Sequence, residues 1–223
     1  MTPAESGATG LTAQGLSFVY PGGVVGVRSF AGRFPPGSLS AITGVSGSGK
    51  STLLYLLGLL QRPSAGDVFL DGHPTTRLAD ARRAWLRAHL FGFVFQDAAL
   101  DPSRTVMDNV IETALYRNAP RREAVRRAHD LLAQFGVGLR ADHLPGQVSG
   151  GQAQRVALCR ALLGDPRFIL ADEPTGNLDA DSRDVVIGAL RERAESGVCV
   201  VIATHDDRVA AACDSHVDLE AGA

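Results

Sequence analysis

Apolar residues along this chain follow two periodicities, and the switch between them outlines its architecture. Leu16, Phe18 and Tyr20 alternate with smaller or polar residues, and Phe30, Gly32 and Phe34 keep the same period of two. That spacing predicts strands, broken by the turn at Pro21-Gly22-Gly23 and stopped by Pro35-Pro36-Gly37. Leu39 to Thr43 is a short apolar run that reads as a buried strand feeding a glycine-rich loop. The helix predicted after it, Ser51 to Leu60, is apolar on all sides, as a helix enclosed in an interior would be. Val68 to Leu70 and Phe91 to Phe95 read as further strands. From about 97 to 148 the period lengthens. Val106 to Tyr116 and Arg121 to Phe135 have helical spacing, the second with Val125, Ala128, Leu131, Leu132 and Phe135 on one stripe. A helix (Gln152 to Leu163), a strand (Phe168 to Ala171), a helix (Ser182 to Glu195) and a strand (Val198 to Ala203) complete the pattern. Strand–helix alternation predicts an α/β fold with helices covering a parallel sheet, here interrupted by a helical insert.

Bulk properties narrow the picture modestly. The 223 residues suffice for a full core, and a net charge of -2 gives no global pull toward nucleic acid or an anionic membrane. Three cysteines (Cys159, Cys199, Cys213) are too few for a disulfide framework, so buried reduced thiols are expected. The first 13 residues carry no cation and no apolar core, unlike a signal peptide. The longest apolar run, Leu53 to Leu60, falls far short of a membrane span. These features predict a soluble, cytoplasmic protein whose membrane role, if it has one, needs a partner. The run Arg121 to Arg127 has its charges opposite the apolar stripe and no interleaved aromatics, which favours a solvated helix face over a nucleic-acid patch.

The chemistry concentrates in three segments. The chain's single lysine, Lys50, lies in Gly44-Val45-Ser46-Gly47-Ser48-Gly49-Lys50-Ser51, whereas its other 21 long cations are arginines. A compact ammonium fits a ring of backbone N–H groups that a guanidinium is too wide to enter. Ser51 offers a hydroxyl to Mg²⁺, and the helix beginning there points its dipole at the anion. In Phe168 to Glu173 an apolar strand ends in two carboxylates, where ligand chemistry of parallel sheets gathers. Asp172 suits the Mg²⁺ shell, usually through water, and Glu173 suits polarising a water for attack on a γ-phosphate. The third segment, Val148-Ser149-Gly150-Gly151-Gln152, places a hydroxyl and two glycines at a second helix start. It reads equally as a second anion site completed by another protomer or as a serine N-cap with glycine punctuation.

The order Tyr20, Gly44 to Ser51, Gln96, Val148 to Gln152, Ala171 to Pro174, Asn177-Leu178-Asp179 and His205 resembles the ATP-binding subunit of ATP-binding cassette (ABC) transporters. The resemblance runs from about residue 14 to 209. It implies a P-loop NTPase (RecA-like) core with a mixed sheet, an N-terminal antiparallel β region and a helical subdomain. The expected division is a flexible segment 1–13 and one domain 14–219, with core 14–96 and 166–219 and helical subdomain about 97–165. Tyr20 is expected to stack on adenine. Gly44, Val45, Ser46, Gly47, Ser48, Gly49, Lys50, Ser51 and Thr52 are expected to hold the phosphates, and Ser51, Gln96 and Asp172 the Mg²⁺. Glu173, His205, Lys50 and Gln96 form the expected catalytic set. Ser149, Gly150, Gly151 and Gln152 would meet ATP held by a second copy of the chain, with Asp179 in the loop crossing that interface. Taken singly, Tyr20 reads as a strand aromatic, Gln96 as a strand end and His205 as a sheet-end histidine.

The stretch Ala171 to Asp179 with Phe93-Val94-Phe95-Gln96 is most similar to the lipoprotein-releasing and macrolide-export branch. Val148 stands where leucine is usual, and Asp101-Pro102-Ser103-Arg104 is more polar than the branch's usual segment. The resemblance implies an ATPase dimerising around two Mg·ATP to power a transmembrane permease on a separate chain, peripheral on the inner face of the membrane. A regulatory module that signals through a membrane partner without transport is the alternative. A cassette acting on ribosomes or DNA usually has two cassettes or a long coiled-coil insertion, which this chain lacks, so no nucleic acid is expected.

Overall fold

The computed structural model describes residues 9–176 and 178–219. The chain opens with β1 (Leu11–Val19) and β2 (Val25–Phe34), then β3 (Leu39–Thr43), α1 (Lys50–Leu57), β4 (Ala65–Leu70) and β5 (His73–Pro74). Next come α2 (Asp80–Leu90), β6 (Phe91–Val94), α3 (Val106–Tyr116), α4 (Arg121–Gln134) and α5 (Gly150–Leu162). The last stretch holds β7 (Phe168–Asp172), α6 (Ala180–Glu195), β8 (Cys199–Ala203), α7 (Asp207–Ala211) and β9 (Ser215–Asp218).

Parallel and antiparallel strands separate into two sheets rather than sharing a mixed one. One is antiparallel, in the order β2-β1-β4-β5, and the other is parallel, in the order β6-β7-β8-β3-β9. The parallel strands β3, β7 and β8 are buried on both faces, and their side chains alternate between two cores. Phe168 and Leu170 of β7, with Cys199 and Val201 of β8, join Leu53, Leu56 and Leu57 of α1 beneath the antiparallel sheet. Ile169, Ala171, Val200 and Ile202 face the other way, into a core shared with α3, α4, α5 and α6. Slipping a strand by one residue would exchange these two sets, so the sheet's register is strongly specified. The strand ends of β6, β7, β8 and β3 lie side by side, and the glycine-rich loop, Gln96, Glu173 and His205 follow them.

The structure corrects several boundaries. β1 begins at Leu11, so strand occupies residues 11–13 of the segment expected to be flexible. Leu11 and Ala13 are buried in the core and pair with both β2 and β4, which fixes them. Helix α1 ends at Leu57, not Leu60, because Gly58 caps it and Leu59 turns to φ 59°. Helix α2 carries little apolar periodicity. Its buried positions are Leu86 and Arg83, whose guanidinium donates to the carbonyls of Leu59 (3.0 Å) and Gln61 (2.7 Å). A cation capping the chain just past a helix end replaces an apolar stripe there. All three cysteines are free, and burial raises the thiols of Cys159 and Cys199 to about 12 and that of Cys213 to about 11. Arg121, Arg122 and Arg126 are exposed on α4, as expected of a solvated face. Among the described residues, no helix is long and apolar enough to cross a membrane.

Candidate active site

Between β3 and α1 the glycine-rich loop wraps the start of the helix. Gly49 sits at φ 95°, and a Cβ there would overlap the Gly26 carbonyl of β2, so only glycine lets the loop pass so close. Lys50 is mostly buried, and its ammonium donates to the Gly44 and Val45 carbonyls at 2.8 and 3.0 Å. An ammonium has three donors, so this geometry leaves one hydrogen for a further acceptor. Ser48 Oγ is buried without a partner among the described residues. An orphaned hydroxyl beside a cation and a helix N-terminus fits a phosphate-holding loop.

The carboxylate pair follows β7. Asp172 accepts from Ser51 Oγ (2.9 Å) through Oδ1 and from the Tyr55 hydroxyl (2.9 Å) through Oδ2. Burial pushes its carboxyl above the ordinary carboxylate value, against the pull of those two hydrogen bonds and of Lys50. The Tyr55 hydroxyl is pushed up to about 12, first by burial and then by the Asp172 charge. Glu173 has φ 44°, a left-handed conformation that costs a glutamate roughly 1–2 kcal/mol. Its N–H donates to the Ala203 carbonyl at 2.9 Å, while its carboxylate meets Thr204 Oγ1 (3.2 Å) and His205 Nδ1 (2.6 Å). The strain is thus offset by three contacts from the end of β8. The Glu173 side chain is 10% exposed and that of His205 67%, so the histidine reaches solvent while holding a nearly enclosed carboxylate.

These groups open onto one cleft of 540 Å³, with Ser46, Gly47, Gly49, Lys50, Ser51 and Thr52 on its floor and Gln96, Glu173 and His205 at one end. Tyr20, Val24, Val25 and Gly26 form the other end, where the Tyr20 hydroxyl is 2.5 Å from Thr52 Oγ1. Val24 and Val25 are exposed, which gives a flat base an apolar surface next to the aromatic ring. Ser51, Gln96 and Asp172 line one adjoining hollow and supply hard oxygen donors, the chemistry Mg²⁺ prefers. Gly44 and Val45 line a neighbouring hollow with His205. Sequence reasoning missed Tyr55, Thr204, Val24 and Val25. The two valines carried a usable signal, an apolar pair directly after the Pro21-Gly22-Gly23 turn.

The remaining predicted residues lie away from this cleft. Ser149 caps α5, accepting from the Gln152 N–H (3.3 Å) while its own N–H donates to Gln152 Oε1 (3.0 Å). Gly150 and Gly151 form the first turn, and a Cβ on Gly151 would come within 2.9 Å of Ser182 Oγ at the start of α6. Asp179 caps α6, accepting from the Ser182 N–H at 2.8 Å. Asn177 lies outside the described residues. Two helix starts, those of α5 and α6, therefore adjoin one another, and none of Ser149, Gly150, Gly151, Gln152 or Asp179 lines the cleft of its own chain.

A glycine loop, a strand-end acid pair and a separate serine-glycine helix start thus surround one parallel sheet. The family model described as ABC transporter matches residues 27–176. This chain belongs to the ABC transporter family. The macrolide export ATP-binding/permease protein MacB of Paracoccus denitrificans is 45% identical over 222 residues, which is 98% of this chain and 33% of MacB. The lipoprotein-releasing system ATP-binding protein LolD of Gluconobacter oxydans is 41% identical over 226 residues, spanning 100% of this chain and 98% of LolD. The chain thus spans a third of the length of MacB and nearly all of LolD. Among solved structures, the dimeric bacterial ABC transporter cassette MJ0796 superposes with a TM-score of 0.89 at 33% identity, over 95% of each chain. The post-hydrolysis dimer of MJ0796 bound to ADP and phosphate gives 0.88 at 32% identity, over 96% and 97%. As an ABC ATPase cassette the chain binds ATP, and its kinship to the lipoprotein-releasing and macrolide-export branch is borne out.

Proposed function

We propose that this ABC cassette is the ATP-hydrolysing subunit of a membrane transporter, working as a dimer around two Mg·ATP with a permease carried on a separate chain. The observation that carries this reading is the convergence of Lys50, Ser51, Gln96, Glu173 and His205, from four neighbouring strand ends, on one cleft. ATP enters with adenine against Tyr20, Val24 and Val25, and its phosphates against the loop amides. Lys50 then exchanges its bonds to the Gly44 and Val45 carbonyls for phosphate oxygens. Each charge-assisted hydrogen bond of this kind contributes about 1.5–3 kcal/mol, so Lys50 alone is a large share of affinity. Ser51, Gln96 and Asp172 are the residues that would hold Mg²⁺, which when bound neutralises charge on the β- and γ-phosphate oxygens.

Glu173 orients a water for in-line attack and draws on its proton, while His205 steadies the Glu173 carboxylate and faces the γ-phosphate. Ser149 of the partner subunit supplies a further donor to that phosphate. ATP binding closes two copies together, and hydrolysis with phosphate release lets them open. The dimeric MJ0796 structures support this cycle, and the names of MacB and LolD support export or lipoprotein release rather than import. Because ATP is supplied on the cytoplasmic side, the subunit on this reading acts on the inner face of the membrane against its permease. Glu173→Gln removes the negative charge and the basicity of the side chain while nearly keeping its shape. It is expected to keep the wild-type Mg·ATP dissociation constant while phosphate release falls by about a hundredfold or more, consistent with the usual contribution of general base catalysis. Retained turnover in that variant would remove Glu173 from its role as the base.

A further inference from the structure

The structure assigns a positioning role in the same site to Tyr55, an inference that rests on Ser51 and Asp172 being the metal-side residues. Ser51 and Tyr55 are one helical turn apart on α1, so both side chains project from the same face. Each donates to a different oxygen of the Asp172 carboxylate, at 2.9 Å in both cases. A carboxylate held at one oxygen swings about its last torsion, whose energy profile is broad. Held at both, its plane is set.

The two donors are not equivalent. Ser51 lines the nucleotide cleft and is the one that would turn toward a metal. Tyr55 lies outside that cleft and lines a second cavity, of 480 Å³, on the other side of Ser51 and Gln96 together with Phe95, Asp97 and Asp172. Its ring stands edge-on to Phe95, centroids 6.2 Å apart, in the segment that carries Gln96. When the Ser51 hydroxyl leaves Asp172, Tyr55 remains as the bond that keeps the carboxylate aimed. Ser51, Gln96, Asp97 and Asp172 give the cavity polar groups, and it is large enough for several waters. Tyr55 therefore fixes the direction of Asp172 without touching nucleotide, and its ring passes that constraint to the Gln96 segment.

Tyr55→Phe keeps the ring against Phe95 and removes only the hydroxyl. The test is titration of Mg²⁺ into full-length protein with a fluorescent ATP analogue, followed by binding and not by turnover, with the same binding measured in EDTA. Losing a hydrogen bond that orients a metal-side carboxylate typically weakens metal affinity by about 10- to 100-fold. The expected result is a Mg²⁺ half-saturation raised about tenfold in Tyr55→Phe, with metal-free analogue binding as in the wild type. Unchanged metal-free binding also establishes that the variant is folded. Ser51→Ala separates the two assignments. A shift in Ser51→Ala with a wild-type titration in Tyr55→Phe overturns the role of Tyr55 alone. Wild-type titrations in both overturn the metal assignment and the inference that rests on it. Equal loss of metal-dependent and metal-free binding in Tyr55→Phe also contradicts it, because the hydroxyl would then be supporting the fold.

Discussion

Asp172 and Glu173 are chemically similar neighbours placed in opposite environments. Asp172 accepts hydroxyl donors from α1, whereas Glu173 is turned by its left-handed backbone toward Thr204 and His205 at the end of β8. One residue step along the chain thus turns one carboxylate toward α1 and the other toward the end of β8, matching the proposed division of labour between metal and water. The lone lysine and the acid pair were readable in the sequence because each has a chemistry few residues can replace. Tyr55 and Thr204 were not, since Tyr55 is hidden in a leucine-rich run and its partner Asp172 is 117 positions away.

Asp214 provides a residue-scale test of how the sheet edge is held. The Leu39 N–H (2.8 Å) and then the Arg191 guanidinium hold its carboxyl below the usual carboxylate range. A depressed value in the folded state stabilises the fold above the unfolded value and loses that contribution as pH falls through the folded one. The side chain is 44% exposed, so solvent screening keeps the effect small. Asp214→Ala is expected to lower unfolding free energy by about 1 kcal/mol at about pH 7, measured in urea. The gap should begin to shrink as pH drops below about 4, the ordinary carboxylate value at which the unfolded chain takes up its proton, and close as pH falls through the lower folded value. A gap of constant size across that range would contradict the assignment.

At the scale of elements, α5 links the serine-glycine turn at its start to the segment that carries Gln96. Its first residues carry Ser149 to Gln152, and farther along Gln154 Nε2 donates to the Phe95 carbonyl at 3.0 Å. Arg160, near its end, donates to the carbonyls of Ala98 and Ala99 at 2.7 Å each. Both alanines are left-handed, with φ 60° and 45°, a conformation that costs roughly 1–2 kcal/mol per residue and needs to be held. The helix thereby grips the Gln96 loop on either side. Arg160→Ala is expected to speed amide exchange in residues 96–100 selectively and to lower kcat more than ATP affinity. Exchange that rises uniformly over the protein, or not at all, would argue against the clamp.

Element boundaries were legible where periodicity was carried by apolar side chains, as in α3, which the spacing located at Val106 to Tyr116. Helix α2 was invisible because one of its two buried positions is an arginine bonded to carbonyls past α1. The start of β1 was misread because the alternation is interrupted between Ala13 and Leu16, where the pairing register with β2 shifts. Both misses have the same origin, a local polar or backbone device standing where a regular hydrophobic step was expected.

At the scale of the whole molecule, the serine-glycine helix start does not line the cleft that holds Lys50 and Glu173 in the same chain. The order of motifs is what suggests a partner for this surface, since the capping-box geometry of Ser149 alone would suit an ordinary helix N-terminus. On the proposed mechanism a second copy completes each site. Light scattering on Glu173→Gln, with and without Mg·ATP, tests that requirement directly, because hydrolysis no longer empties the dimer. The mass should double from the 23.4 kDa of one chain when Mg·ATP saturates and return when nucleotide is removed. A single-chain mass at saturation, alongside wild-type protein that hydrolyses ATP while equally monomeric, would contradict the account.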